Sequence, residues 1–149
     1  MYILGFKNTS AQTVAANGTI NLGTVYRKYA KKNNCGNCAF SFSGPSLGLL
    51  QQGMYELIIS FVVSAPAAGN VSIQLYQNGV AIPGAVAEET ITTATTELRT
   101  MTISYIFLVN NNCLLGNAVT NELQITAVNT GTAGAIINNV SGTVKKVVY

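Results

Sequence analysis

The sequence predicts an all-β domain, an antiparallel β-sandwich of eight to ten short strands, on three observations. Apolar residues recur with a period of two rather than 3.6, which sends alternate side chains to opposite faces of a strand. Asn-Gly pairs and other turn-forming clusters punctuate the chain at short intervals. No stretch combines a sustained helical period with capping residues, so almost no helix is expected. At 149 residues one core is enough, and a single domain over residues 1–149 is expected.

Taken in order, strands are predicted over Tyr2–Phe6, Ile20–Tyr29, Ala39–Phe42, Tyr55–Val63, Val71–Gln77, Ala81–Glu88, Met101–Val109, Val119–Val128 and Ala135–Val148. Two of these carry the clearest pattern. Tyr55, Leu57, Ile59, Phe61 and Val63 point one way, with Glu56 and Ser60 opposite; Met101, Ile103, Tyr105, Phe107 and Val109 oppose Thr100, Thr102 and Ser104. Their aromatic residues Tyr55, Phe61, Tyr105 and Phe107 are therefore assigned to the core. Turns are expected at Asn17-Gly18, Ala68-Gly69-Asn70, Asn78-Gly79, Pro83-Gly84 and Gly131-Thr132. Asn78-Gly79 is the strongest hairpin signal, because both residues accept the positive φ of a two-residue turn.

The composition excludes several classes. With 48% hydrophobic and only 9% charged residues, the chain is far from the charged, apolar-poor composition of disordered segments. A surface this poor in charge is weakly protected against self-association, so an oligomer is expected. The net charge of +3 gathers at Arg27, Lys28, Lys31 and Lys32, with Lys145 and Lys146 near the other end of the chain. Without the interleaved aromatic platforms of nucleic-acid modules, this tract reads as a solvated or interface-facing loop, and a nucleic-acid partner is not expected. The longest apolar run, Leu57–Ile59 extended past Ser60 to Val63, is far short of a membrane span, and no secretory leader is visible at the start.

Catalysis is poorly provided for. The chain has no His, no Asp and no Trp, which removes the usual bases of nucleophilic triads and most ligands of hydrolytic metal sites. The carboxylates are Glu56, Glu88, Glu89, Glu97 and Glu122; the adjacent Glu88 and Glu89 fall on opposite faces of a strand and cannot converge as a glycosidase pair. Neither an enzyme nor a cofactor is expected. Cys35 and Cys38 lie in a Cys-Gly-Asn-Cys loop and Cys113 in an Asn-rich loop. Three thiols are one short of a structural zinc site, which leaves free thiols, a disulfide, or a metal shared between loops or subunits. Tyr2, Phe6 and Tyr149, at the chain ends, are read as a patch that a partner subunit covers.

The run Gly53-Met54-Tyr55-Glu56-Leu57-Ile58-Ile59-Ser60-Phe61-Val62-Val63 resembles the glycine, any residue, tyrosine, alternating apolar pattern of the tumour-necrosis-factor-like jelly-roll superfamily. Val71-Ser72-Ile73-Gln74-Leu75-Tyr76-Gln77-Asn78-Gly79 is similar to that family's strand ending in an Asn-Gly hairpin. Thr13–Gly18, Asn21–Val25 and Ser64–Val71 further resemble small jelly-roll proteins encoded by phages and prophages, commonly virion surface proteins. The resemblance implies a TNF-like jelly roll, a homotrimer around a threefold axis and display on a particle. No collagen-like or coiled-coil stalk accompanies it.

The resulting expectation is a non-enzymatic structural virion protein, a trimeric capsid decoration or head-fibre knob, made in the host bacterial cytoplasm and held by the major capsid or another virion protein. Attachment is assigned to Arg27, Lys28, Lys31 and Lys32, drawn to an acidic shell, with the uncharged turns around Asn70, Asn78 and Asn129 facing outward. The alternatives are a tail or fibre adhesin that binds a host-surface glycan or protein, and a spore-surface jelly roll.

Overall fold

A computed structural model describes residues 1–31, 38–110 and 122–148. Among them are eleven strands and no helix: β1 (Tyr2–Asn8), β2 (Gln12–Val14), β3 (Thr24–Tyr29), β4 (Phe40–Phe42), β5 (Leu47–Leu49), β6 (Gly53–Ser64), β7 (Gly69–Gln77), β8 (Val80–Ile91), β9 (Arg99–Val109), β10 (Leu123–Asn129) and β11 (Ala135–Val148). They form two antiparallel sheets packed face to face. Sheet A runs β3-β1-β11-β6-β9, with β2 added to β11; sheet B runs β4-β5-β10-β7-β8. The strand count exceeds the expected eight to ten because β2 and β5, three residues each, are too short to show a period.

The alternation resolves as the pattern requires. Tyr55, Leu57, Ile59, Phe61 and Val63 of β6 are all buried, as are Met101, Ile103, Phe107 and Val109 of β9; Tyr105 is half-buried against the same core. β6 and β9 pair in one unbroken register from Gly53↔Val109 to Val63↔Arg99, which keeps both inward sets on one face. Sheet B answers with Val71, Ile73 and Leu75 of β7 and Leu123, Ile125 and Ala127 of β10. The Asn78-Gly79 hairpin forms as expected between β7 and β8, with φ of 50° and 80° and Gln77↔Val80 closing it.

Four expectations need correction. Pro83-Gly84 is not a turn. It lies inside β8, where the four residues Ile82–Ala85 stand opposite Leu75 alone, and Gln74 Nε2 donates to the Ile82 carbonyl (2.9 Å) across the bulge. A bulge tolerates proline because the ladder is already interrupted there. The strand expected from Ile20 begins only at Thr24, since the Ile20 and Leu22 amides are spent on the carbonyls of Ala127 and Gly44, outside any ladder. Phe6 is no surface residue. β1 lies inside sheet A between β3 and β11, and the Phe6 ring is fully buried over Gly142, its partner across the pair. Asn129, expected in an outward turn, is fully buried: its side-chain amide donates to Val14 O (3.1 Å) and Ala133 O (3.0 Å) and its oxygen accepts from the Gly131 amide (3.0 Å). The carboxamide satisfies buried backbone groups where the β2–β3 and β10–β11 loops meet.

The loop from Thr92 to Glu97 supplies a pH-dependent feature. One Glu97 carboxylate oxygen accepts from the Thr92 hydroxyl (2.7 Å) and from the Thr93 and Thr92 amides (2.7 and 2.6 Å), and the other takes Arg99. These bonds, the Thr92 hydroxyl foremost, hold the Glu97 pKa down to about 2. A depressed carboxyl pKa stabilises the folded loop above the ordinary carboxylate range, and that contribution disappears as pH falls from about 4.5 to about 2. Protection of the Thr92 and Thr93 amides, measured against the intrinsic exchange rate at each pH, is expected to fall over that window, and Glu97→Gln should show low protection at every pH. Equal protection at pH 5 and pH 2 in the parent would refute the cap.

Candidate interaction surface

The outer faces of the two sheets differ in character. On sheet A the register brings side chains into rows: Tyr29, Ile3, Lys145, Glu56 and Ile106 share one row across β3, β1, β11, β6 and β9, and Gly5, Thr143, Ile58 and Ser104 form the next. Towards one end of this face Met54 stands opposite Leu108. The exposures of Ile58, Val147, Ile106 and Leu108 are 41%, 53%, 61% and 65%. The single ion pair there joins Lys145 to Glu56 at 3.5 Å, among the described residues. Sheet B turns outward a hydrogen-bonded polar set: Ser72 with Thr130 (2.8 Å) and Glu88 (3.4 Å), Ser41 with Glu122 (2.8 Å), and Thr90 with Asn70 (2.9 Å). Val86 and, beside the hairpin, Val80 are its large exposed apolar residues, both on β8. Large exposed apolar residues gathered on one face around a single ion pair, with a polar opposite face, are the mark of a contact surface.

These residues were not singled out from the sequence, although a signal exists. Leu57-Ile58-Ile59 and Ile106-Phe107-Leu108-Val109 are apolar at consecutive positions, hence on both faces, and a strand apolar on both faces is normally covered on both.

The expected interface residues fare differently. Tyr2 is half-buried and packs against the core, with the Lys146 ammonium 5.5 Å from its ring centroid. Lys146 is nearly buried at a bulge of β11, its Nζ 3.3 Å from Gln51 Oε1, and burial lowers its pKa. Gln51 in turn donates to Lys31 O (2.9 Å), and its own carbonyl accepts the Tyr55 hydroxyl (2.7 Å). Tyr2 thus belongs to a polar cluster that closes one end of the sandwich. Tyr149 lies outside the described residues.

Among the attachment residues, Arg27 and Lys28 sit on β3, every residue of which is exposed, and Lys31 follows in the chain, also exposed. Tyr26 sits at a bulge in the β1–β3 pairing, its ring over Gly5 and 5.7 Å from Lys7 Nζ. Lys32 and Cys35 lie outside the described residues, as does Cys113; Cys38 is a half-exposed free thiol. Among the described residues no three potential ligands cluster for a metal. The polar turns do not share one end. Asn78 stands beside Leu108 and Glu122, at the end where β3 finishes, whereas Asn70, paired with Thr90, is at the other.

The fold so defined is the TNF-like jelly roll. No protein-family model matches the sequence, and no curated protein matches it. The chain is similar over nearly its whole length to solved structures: the PRD1 vertex protein P5 (17% identity, TM-score 0.55, covering 98% of this chain and 96% of that one). It is likewise similar to murine APRIL (9% identity, TM-score 0.62, covering 97% of this chain and 98% of that one) and to the Eiger TNF of S. frugiperda (10% identity, TM-score 0.62, covering 97% and 92%). At these identities the likeness is one of fold.

Proposed function

We propose that this chain is a non-enzymatic structural protein of a virion surface, a capsid decoration or head-fibre knob, and that it works as a homotrimer. The observation that carries the assembly is the two-sided sandwich: Ile58, Ile106, Leu108 and Val147 line a face that a single copy leaves in water, while sheet B is polar. Burying such a face returns roughly 25 cal/mol per Å² of apolar area. A closed ring of copies covers it without leaving an open end for fibre growth. The similarity in fold to a vertex protein favours a particle as the setting.

In this reading β3 and Lys31 attach the trimer to an acidic shell, and the opposite end, with Asn70 and the Thr92–Glu97 loop, faces outward. Contacts between exposed charges weaken as the Debye length falls from about 8 Å at physiological salt to about 3 Å at 1 M. The trimer should therefore wash off particles as salt rises. With Arg27, Lys28, Lys31 and Lys32 all changed to Glu, a folded trimer that no longer co-sediments with particles lacking the native protein is expected. Full decoration by that variant would place attachment elsewhere. Light scattering of the parent tests assembly directly: a soluble, folded monomer at micromolar concentration would rule the trimer out.

A further inference from the structure

A sandwich has four lateral edges, and each is a row of backbone donors and acceptors unless something blunts it. Among the described residues three are blunted. β8 carries Pro83 within its bulge, and it leans on β9, where a side chain at Gly84 would meet the Tyr105 ring. Those two edges thereby close on each other. β4 is only three residues long, as is β2, which lies beside β11 past the end of β1. The fourth, β3, has six residues, contains no proline and pairs with β1 alone.

β3 also overhangs. Val25 and Lys28 lie opposite Phe6 and Leu4, on the face that is core in β1, yet both are exposed. Among the described residues nothing of sheet B lies beneath this strand and nothing pairs with its outer edge. Its charge is of one sign: Lys7, Arg27, Lys28 and Lys31 surround it, and no carboxylate occurs in residues 1–55. Two such edges from two copies repel, which disfavours β3 pairing with itself. An acidic strand meets the opposite situation.

We infer that β3 receives an extended acidic segment of the partner protein as an added antiparallel or parallel strand, an inference that rests on the proposed attachment through the basic strand and names its mode. Backbone hydrogen bonds along β3 would supply affinity. Arg27 and Lys28, on opposite faces, would select carboxylates at neighbouring positions, one on each face of the added strand, with Tyr26 and Tyr29 offering exposed rings beside them.

Two synthetic peptides test this on the intact chain: one of repeated Val-Val-Glu-Glu, which carries glutamates on both faces of an added strand, and one of equal length and charge with its central valines replaced by proline. Proline removes the ladder donors and leaves the charge. The first is expected to bind at least tenfold more tightly and to slow amide exchange at alternate residues of β3 at least tenfold. Equal binding of both peptides, binding without slowed exchange in β3, or binding of neither would overturn strand addition. The attachment reading fails on a separate result, full particle decoration by the charge-reversed protein, so the two can be told apart.

Discussion

Tyr55→Ala is expected to lower the thermal midpoint by roughly 10 °C or more. The Tyr55 ring is fully buried at the start of β6, edge-on to Phe40 with centroids 5.8 Å apart. Its hydroxyl donates to the Gln51 carbonyl (2.7 Å), and burial, partly offset by that bond, pushes its pKa up, so it stays a neutral donor. Truncating a buried aromatic costs about 3–5 kcal/mol, and losing the hydroxyl's hydrogen bond adds about 0.5–1.5 kcal/mol. Against a total stability of roughly 5–15 kcal/mol that is a large share. Tyr55→Phe keeps the ring and loses only the hydroxyl, so it should fall well short of the alanine variant. Circular dichroism melts at one fixed protein concentration measure both, since assembly couples stability to concentration. An alanine variant melting with the parent would mean that the ring faces water and the register of β6 is off by one.

The double change Ile106→Glu and Leu108→Glu is expected to turn the proposed trimer into a folded monomer at micromolar concentration. Both side chains stand in water on a single copy, at 61% and 65% exposure, so the fold itself loses little. In a trimer closed through sheet A, each copy would bury two carboxylates without partners, at a cost of several kcal/mol per ion. Sedimentation equilibrium reads the outcome. Val86→Glu makes the same kind of change on the outer face of sheet B and should leave the mass unchanged. A double variant that stays trimeric would move the interface off this face.

Much of the fold was legible because a strand's period is local. Tyr55 to Val63 and Met101 to Val109 announce a buried and a solvent-facing set within a few residues, and Asn78-Gly79 announces its own turn through the φ values these residues tolerate. The lack of His and Asp likewise needs no structure to argue against most hydrolytic chemistry.

What the sequence determined by itself was which residues share a face along each strand and where one tight hairpin falls. Only the tertiary structure decided which strands lie inside a sheet and which overhang. Phe6, read as a surface residue from its place near the chain end, is core because β1 is flanked on both sides; Arg27 and Lys28 fall within the expected strand, but only the pairing shows that strand to be an edge, with β1 as its one neighbour among the described residues. Pro83-Gly84 is a bulge rather than a turn because β7 continues past it. Ile106 and Leu108 are exposed because, among the described residues, no second layer covers sheet A from outside. Each of these depends on pairing between residues distant in sequence, and the local period carries no record of which neighbour, if any, a strand acquires.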